Sequence, residues 1–209
     1  MKCLVCFAVA QEKRNFRVPS DVQVLVTGMG AVAASSCLTS ALETARPELI
    51  IAAGFAGGLN PELTTGQIIL DDADCPAHDL DFSQVQSLFR GSIYSESKVL
   101  ITPEDKAQVR EETRADAVDM ESASIRLLAK QHGITMVSLR VISDAFDESL
   151  PINFNQFMTE NGGMRFGSLM LHIARHPGII PELLQFQRKA QFAALRLGEA
   201  LELLLHSSH

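Results

Sequence analysis

The sequence predicts an α/β fold in which one sheet lies between helices. Apolar runs of strand length alternate with stretches of helical periodicity along the chain. One run, residues 49–53, is apolar without a break, as a strand covered on both faces is, and residues 136–142 come close to it. Hydrophobic residues make up 46% against 21% charged, enough to fill a core on both sides of a sheet.

In chain order, residues 3–9 form an apolar first strand and residues 22–27 a second. Gly28 and Gly30 then turn the chain into a helix over 30–45, which Arg46-Pro47 ends because proline has no amide hydrogen to continue it. Residues 49–53 are the continuous strand, and Gly54-Phe55-Ala56-Gly57-Gly58 after it reads as a glycine-rich turn. A short strand follows at 67–70, whereas residues 71–89 are polar and show neither period. Strand is expected within 92–100 and a charged helix over 105–113. The next helix, 120–131, sets Ile125, Leu128 and Ala129 on one face and stops near Gly133. Residues 135–142 are another buried strand. Beyond Asp144 the chain changes: 150–157 is irregular, Asn161-Gly162-Gly163 a turn and 168–174 a helix. A Leu-rich helix over 181–205 closes it, with Pro181 suited to the first turn and a broad apolar face for the core or a partner subunit. No repeat or linker interrupts the 209 residues, so one domain is expected over 1–209.

Composition removes several function classes. Net charge is −7 and the Lys and Arg residues are scattered, leaving no basic stripe for a phosphate backbone, so no nucleic acid partner is expected. Residues 22–42 carry no charge, but Thr27-Gly28-Met29-Gly30 and several Ser and Thr interrupt them; strand, turn and helix are expected there rather than a membrane span. The first ten residues imitate a signal peptide, with Lys2, an apolar run and Ala8-Val9-Ala10. Charge, core and cleavage site would have to share too few residues, so a buried strand and a cytoplasmic protein are expected. Cys3, Cys6, Cys37 and Cys75 lack the spacing of a disulfide framework. Cys3 and Cys6, three apart on a strand, point to opposite faces, which spoils chelation. The six histidines are scattered without ligand spacing, and neither a metal nor a cofactor is called for.

Two segments carry chemistry: Val118-Asp119-Met120-Glu121, at the start of a helix, and Arg140-Val141-Ile142-Ser143-Asp144, at the end of a buried strand. Each puts a carboxylate where an element hands over to a loop, the place where side chains meet ligands. Cleaving a purine N-glycosidic bond requires a leaving base made less anionic and support for a sugar that becomes oxocarbenium-like. A protonated Asp144 at purine N7 suits the first task, provided its surroundings favour the acid form. Glu121, accepting hydrogen bonds from the ribose hydroxyls, suits the second, its charge also favouring a positive sugar. Taken singly, Asp119 and Glu121 are equally well explained as acids in a helix's first turn, Ser143-Asp144 as a cap or turn, and Glu12 as a solvated charge.

Four blocks taken together decide between those readings: Thr27-Gly28-Met29-Gly30, Gly54-Phe55-Ala56-Gly57-Gly58-Leu59, Asp119-Met120-Glu121-Ser122-Ala123 and Ser138-Leu139-Arg140-Val141-Ile142-Ser143-Asp144. In this order they resemble the nucleoside phosphorylase and nucleosidase superfamily, which includes the methylthioadenosine/S-adenosylhomocysteine nucleosidases. The tail around His176-Pro177-Gly178-Ile179-Ile180-Pro181 is similar to the subgroup called hopanoid-associated phosphorylases. The resemblance implies a three-layer, phosphorylase/hydrolase-like fold with a mixed central sheet flanked by helices, and a homodimer. It implies that Met120 packs against the sugar, Glu121 binds its hydroxyls, Asp144 protonates the base and Ser143 orients Asp144. Val99 and Leu100 fall where nucleosidases contact the purine, partly through backbone groups. Glu12 falls where they carry the carboxylate that activates water, although its context, Ala10-Gln11-Glu12-Lys13-Arg14, lacks the acidic cluster common there. Gly28 and Gly57 lie in the two glycine blocks beside the ligand.

Hydrolysis and phosphorolysis differ in the nucleophile, and phosphate needs a cationic cradle. The approaches to the glycine blocks, Ala8-Val9-Ala10-Gln11 and Ile51-Ala52-Ala53, hold no Arg, and Phe55 stands where a small hydroxyl residue is common. Water is therefore the expected nucleophile, with Arg90 and Arg140 the residues that keep phosphorolysis, including that of adenosylhopane, as an alternative. A dinucleotide reading of Gly28-Met29-Gly30-Ala31-Val32-Ala33 expects an acid at the end of the next strand, near Gly54, and none is there. A non-catalytic nucleoside-binding protein would not require Glu12, Glu121 and Asp144 together. No pattern in residues 71–89 names the 5′ substituent.

Overall fold

The computed structural model describes residues 2–73, 80–159 and 163–206. Cys75 and the Asn161-Gly162 turn lie outside them. The core is an eight-stranded mixed sheet in which the order β2 (Val22–Val26), β1 (Cys3–Phe7), β3 (Leu49–Gly58), β8 (Thr135–Asp144), β4 (Ile68–Asp71), β5 (Leu88–Arg90) forms the main path. Pairings along it are parallel except that of β4 with β8. A side branch, β6 (Ile93–Ser95) with β7 (Ala117–Asp119), joins the far end of β3, where Gly57 and Gly58 oppose Val118 and Ala117 in antiparallel register.

Alternation along the strands divides the core between the two faces. Leu4, Cys6, Ile50, Ala52 and Met136 pack with Leu38 and Leu42 of α1 (Ala31–Thr44) and Ile125 of α3 (Ser122–Gln131). Their neighbours Cys3, Val5, Phe7, Ile51, Val137 and Leu139 pack with Ala193, Leu197, Leu201 and Leu204 in the second half of α5 (Ile180–His206). Cys3 and Cys6 thus face opposite ways, and burial pushes both thiols up to about 12, which makes them inert apolar side chains at neutral pH. Helix α2 (Pro103–Thr113) starts two residues before the expected position because Thr102 and Asp105 form a reciprocal capping box with Pro103 in the first turn. Helix α4 (Phe166–Arg175) and two short 3₁₀ turns, Phe154–Phe157 and Pro177–Ile179, complete the chain.

Two expectations are corrected. The segment from Gly54 to Gly58 is no turn: β3 runs through it, and its glycines clear space for side chains described below. Val118-Asp119 does not open a helix, since residues 117–119 pair as β7 and α3 begins only at Ser122. A three-residue strand is too short to show a period, so the sequence offered no means of separating it from the helix that follows.

Candidate active site

Three carboxylates far apart in the sequence are set around the second half of β3. Glu12, in the turn after β1, is 3% exposed. Its Oε2 accepts the amides of Ala8 (2.8 Å) and Val9 (3.0 Å), and its Oε1 accepts the Phe55 amide (2.8 Å). Burial lifts this carboxyl above the usual range, while the Arg140 guanidinium and the three amides pull it down without prevailing.

Glu121 lies in the turn between β7 and α3 and is also buried. Its Oε1 accepts the Gly30 amide at 2.7 Å, at the N-terminus of α1, which has no side-chain cap of its own. The positive end of α1 therefore faces a carboxylate of this chain, in the place where a dinucleotide fold would bind pyrophosphate. Gly28 and Gly30 both have φ in the left-handed region, +87° and +84°, which lets the turn after Thr27 present that amide. Met120 lies alongside, its Cε 4.0 Å from where a Gly30 side chain would begin. Burial pushes the Glu121 carboxyl up to about 7, opposed by Arg140 and assisted by the negative charge of Asp119.

Arg140, 1% exposed near the end of β8, links these groups. Its Nη2 lies 2.6 Å from Asp119 Oδ2 and 3.7 Å from Glu121 Oε2, and donates to Ser122 Oγ at 3.1 Å. Burial alone would lower its pKa, but Asp119, Glu121 and Glu12 together raise it, so it stays a cation. Gly54 explains why glycine is needed on β3: a Cβ there would run into Arg140 Nη1 and lie 2.7 Å from Glu12 Oε1. Asp119 also accepts the Ser122 amide at 3.1 Å and the Ser95 hydroxyl at 2.5 Å, so from the end of β7, outside the first turn, it holds the first amide of α3. Glu121 does not; it reaches another element.

Asp144 ends β8 at a register shift. Ala56 pairs with Ile142 and Gly57 with Asp144, leaving Ser143 as the extra residue of a bulge. Ser143 Oγ donates to Asp144 Oδ1 at 2.6 Å, and the carboxylate lies against Gly57, 3.4 Å from where its Cβ would be. The surroundings differ from the expected acid-favouring pocket: Lys106 Nζ of α2, fully buried, stands 2.6 Å from Asp144 Oδ2. The same ammonium donates to the carbonyls of Ala145 (2.5 Å) and Glu148 (2.9 Å), which uses all its protons. Lys106 has no signature in the sequence. A lysine in a charged helix reads as a solvated face.

Val99 and Leu100 stand just before α2. Leu100 is buried among Leu59, Val109, Ala115 and Val118. Both backbone groups of Val99 are taken by one side chain: its amide donates to Asn155 Oδ1 and its carbonyl accepts from Asn155 Nδ2, each at 2.8 Å. Asn155 was likewise invisible to sequence reasoning, because its segment has no periodicity. Phe55 is half-buried and packs toward the α5 side of the sheet. Arg90 is not brought to the site; it lies on edge strand β5, paired with Asp72 and stacked over Phe82.

A sequence profile of the phosphorylase superfamily matches residues 19–86 and 73–175. The chain belongs to the phosphorylase superfamily. Solved structures with the superfamily fold resemble it along nearly their whole length. A variant of the Helicobacter pylori 5′-methylthioadenosine/S-adenosylhomocysteine nucleosidase, with 5′-methylthioadenosine in its active site, superposes with a TM-score of 0.70 at 16% identity, covering 99% of this chain and 98% of that one. The futalosine hydrolase of Helicobacter pylori gives 0.67 at 17% identity, covering 98% and 97%. The Neisseria meningitidis 5′-methylthioadenosine/S-adenosylhomocysteine nucleosidase in complex with methylthio-immucillin-A gives 0.67 at 18% identity, covering 99% and 100%. These likenesses establish that the superfamily chain folds as its relatives do: a mixed central sheet flanked by helices.

Proposed function

We propose that the protein cleaves the N-glycosidic bond of a purine nucleoside, with water as the nucleophile. The observation that carries this reading is the gathering of Glu12, Glu121 and Asp144, from three separate segments, around the glycine-cleared half of β3. In the proposed reaction Glu12, whose carboxyl burial makes more basic, takes a proton from water as its oxygen bonds to C1′. The C1′–N9 bond breaks, its electron pair goes to the base, and N7 receives a proton. Glu121 accepts from the ribose hydroxyls and Met120 packs against the sugar. The proton for N7 comes from the Asp144–Lys106 couple. When Lys106 passes a proton through Asp144 it is left a neutral amine that still donates to the Ala145 and Glu148 carbonyls. Ser143 fixes the carboxylate's orientation.

The charges favour water over phosphate. Arg140 is the one guanidinium among these groups and it is already surrounded by Asp119, Glu121 and Glu12. A phosphate there would have to displace or face those carboxylates. One observation speaks for the phosphorolytic alternative: Arg140 Nε is buried without a hydrogen-bond partner among the described residues, so one donor is unspent. A 5′-substituted adenosine is the proposed substrate type, on the superfamily resemblance. The protein is tested by incubation with adenosine, inosine and 5′-substituted adenosines while base release is followed. Release from at least one is expected. Binding without release from any of them would leave a nucleoside-binding protein instead.

A further inference from the structure

From residue 163 to residue 192 no side chain is buried, although this stretch contains α4, the 3₁₀ turn Pro177–Ile179 and nearly the first half of α5. It is rich in apolar residues. Phe166 is 67% exposed, Met170 62%, Leu171 51%, Ile180 41% and Leu184 50%. Phe166 and Met170, and again Ile180 and Leu184, are four apart and so lie on one side of their helix. The opposite side of α4 is the one that meets the protein: His172 packs edge-on against Phe157 and the Arg165 guanidinium donates to the Gln156 carbonyl at 2.7 Å. Phe186 of α5 in turn meets Phe154. The arm is thus fastened to the Phe154–Phe157 turn by one flank, with its apolar flank outward. By contrast, α5 beyond Ala193 is packed into the core.

Charge says what fits this surface. The chain carries −7, yet this segment holds Arg165, Arg175, Arg188 and Lys189 against one acid, Glu182; Lys189 is tied to Glu148 and Arg165 to the Gln156 carbonyl, while Arg175 and Arg188 are exposed. A two-fold contact between copies through this face would bring two net-positive segments together. An anionic lipid surface meets both features: acyl chains take the apolar side chains and headgroups the arginines. Among the described residues no helix is long and apolar enough to cross a membrane, so the contact lies in the plane of the interface.

We propose that the arm formed by α4 and the start of α5 docks the protein on anionic lipid bilayers. The proposal stands apart from the catalytic reading and is tested without nucleoside. The full chain is mixed with vesicles of phosphatidylglycerol or of phosphatidylcholine and floated on a density gradient. Binding to phosphatidylglycerol alone is expected, weakening with added salt. Met170→Glu with Leu184→Glu should abolish it, and Arg175→Glu with Arg188→Glu should reduce it about ten-fold. The arginine pair decides if the apolar pair lowers the melting temperature. No flotation of the unaltered protein, or flotation kept by both variants, would overturn the proposal. So would a dimer in solution that the apolar pair of substitutions splits, with no vesicle binding, since the face would then belong to a second copy.

Discussion

Asp144 and Lys106 show how a single contact changes what a residue is asked to do. The sequence pointed to Asp144 as an acid holding its own proton, whereas the structure sets a buried ammonium 2.6 Å away. Asp144→Asn should lower base release at least about a hundred-fold, since the amide has no proton of comparable acidity to give, with little change in nucleoside affinity by calorimetry. Unreduced turnover would exclude Asp144 as the acid. Lys106→Met should also slow release, by about ten-fold or more, and Lys106→Arg should not recover the loss, since a guanidinium keeps the charge but does not give up its proton; equal rates for all three proteins would make Lys106 a structural residue only. Glu121 gives the pH dependence. Its carboxyl is pushed up to about 7, and in the proposed reaction it is ionised when it accepts from the ribose hydroxyls, so kcat/KM should fall as pH drops through about 7. The same shift has the opposite sign for folding. A carboxyl whose folded pKa is raised holds its proton more tightly in the folded state, so the ligand-free protein should lose stability as pH rises from about 4.5 to about 7. A melting temperature that rises over that range, or one whose fall is unchanged in Glu121→Gln, would contradict the burial argument. Glu121 itself was legible because it sits in a block with a recognisable order; Lys106 was not, because only the folding of α2 onto the loop after β8 gives it a partner.

Strands and helices with a clear period were read correctly from the sequence, and those decided by crowding were not. The run 49–53 and the helix ahead of Arg46-Pro47 appear as β3 and α1 with small shifts at their ends. Local sequence rules read glycine clusters as turns, but Gly54 to Gly58 stay in β3, because glycine also serves where two side chains must approach a backbone. Gly54→Ala tests this directly. The added methyl meets Arg140 Nη1 and Glu12 Oε1, so a loss of about 1 to 3 kcal/mol in denaturant unfolding is expected, together with lower activity. A variant as stable and active as the parent would show that the Glu12–Arg140 packing is loose. The β8 bulge at Ser143 escaped notice for a related reason: a one-residue register shift is set by the partner strand and leaves no mark in composition.

At the level of the whole molecule, the superfamily fold brings the ends of β1, β3, β7 and β8 together, which is why motifs dispersed over more than a hundred residues meet at one place. A homodimer is proposed on the resemblance, and light scattering should give twice the chain mass. The long C-terminal helix was expected to use its apolar face on the core or on a partner, and the structure divides it: the second half packs on the sheet, whereas no side chain of the first half is buried. Everything about the site's charge turns on the nucleophile. The most direct measurement is therefore product analysis after incubation with the best purine nucleoside, with and without inorganic phosphate. Free base and free sugar at the same rate in both conditions is the predicted result; base release that requires phosphate and yields the sugar 1-phosphate would contradict the hydrolytic account.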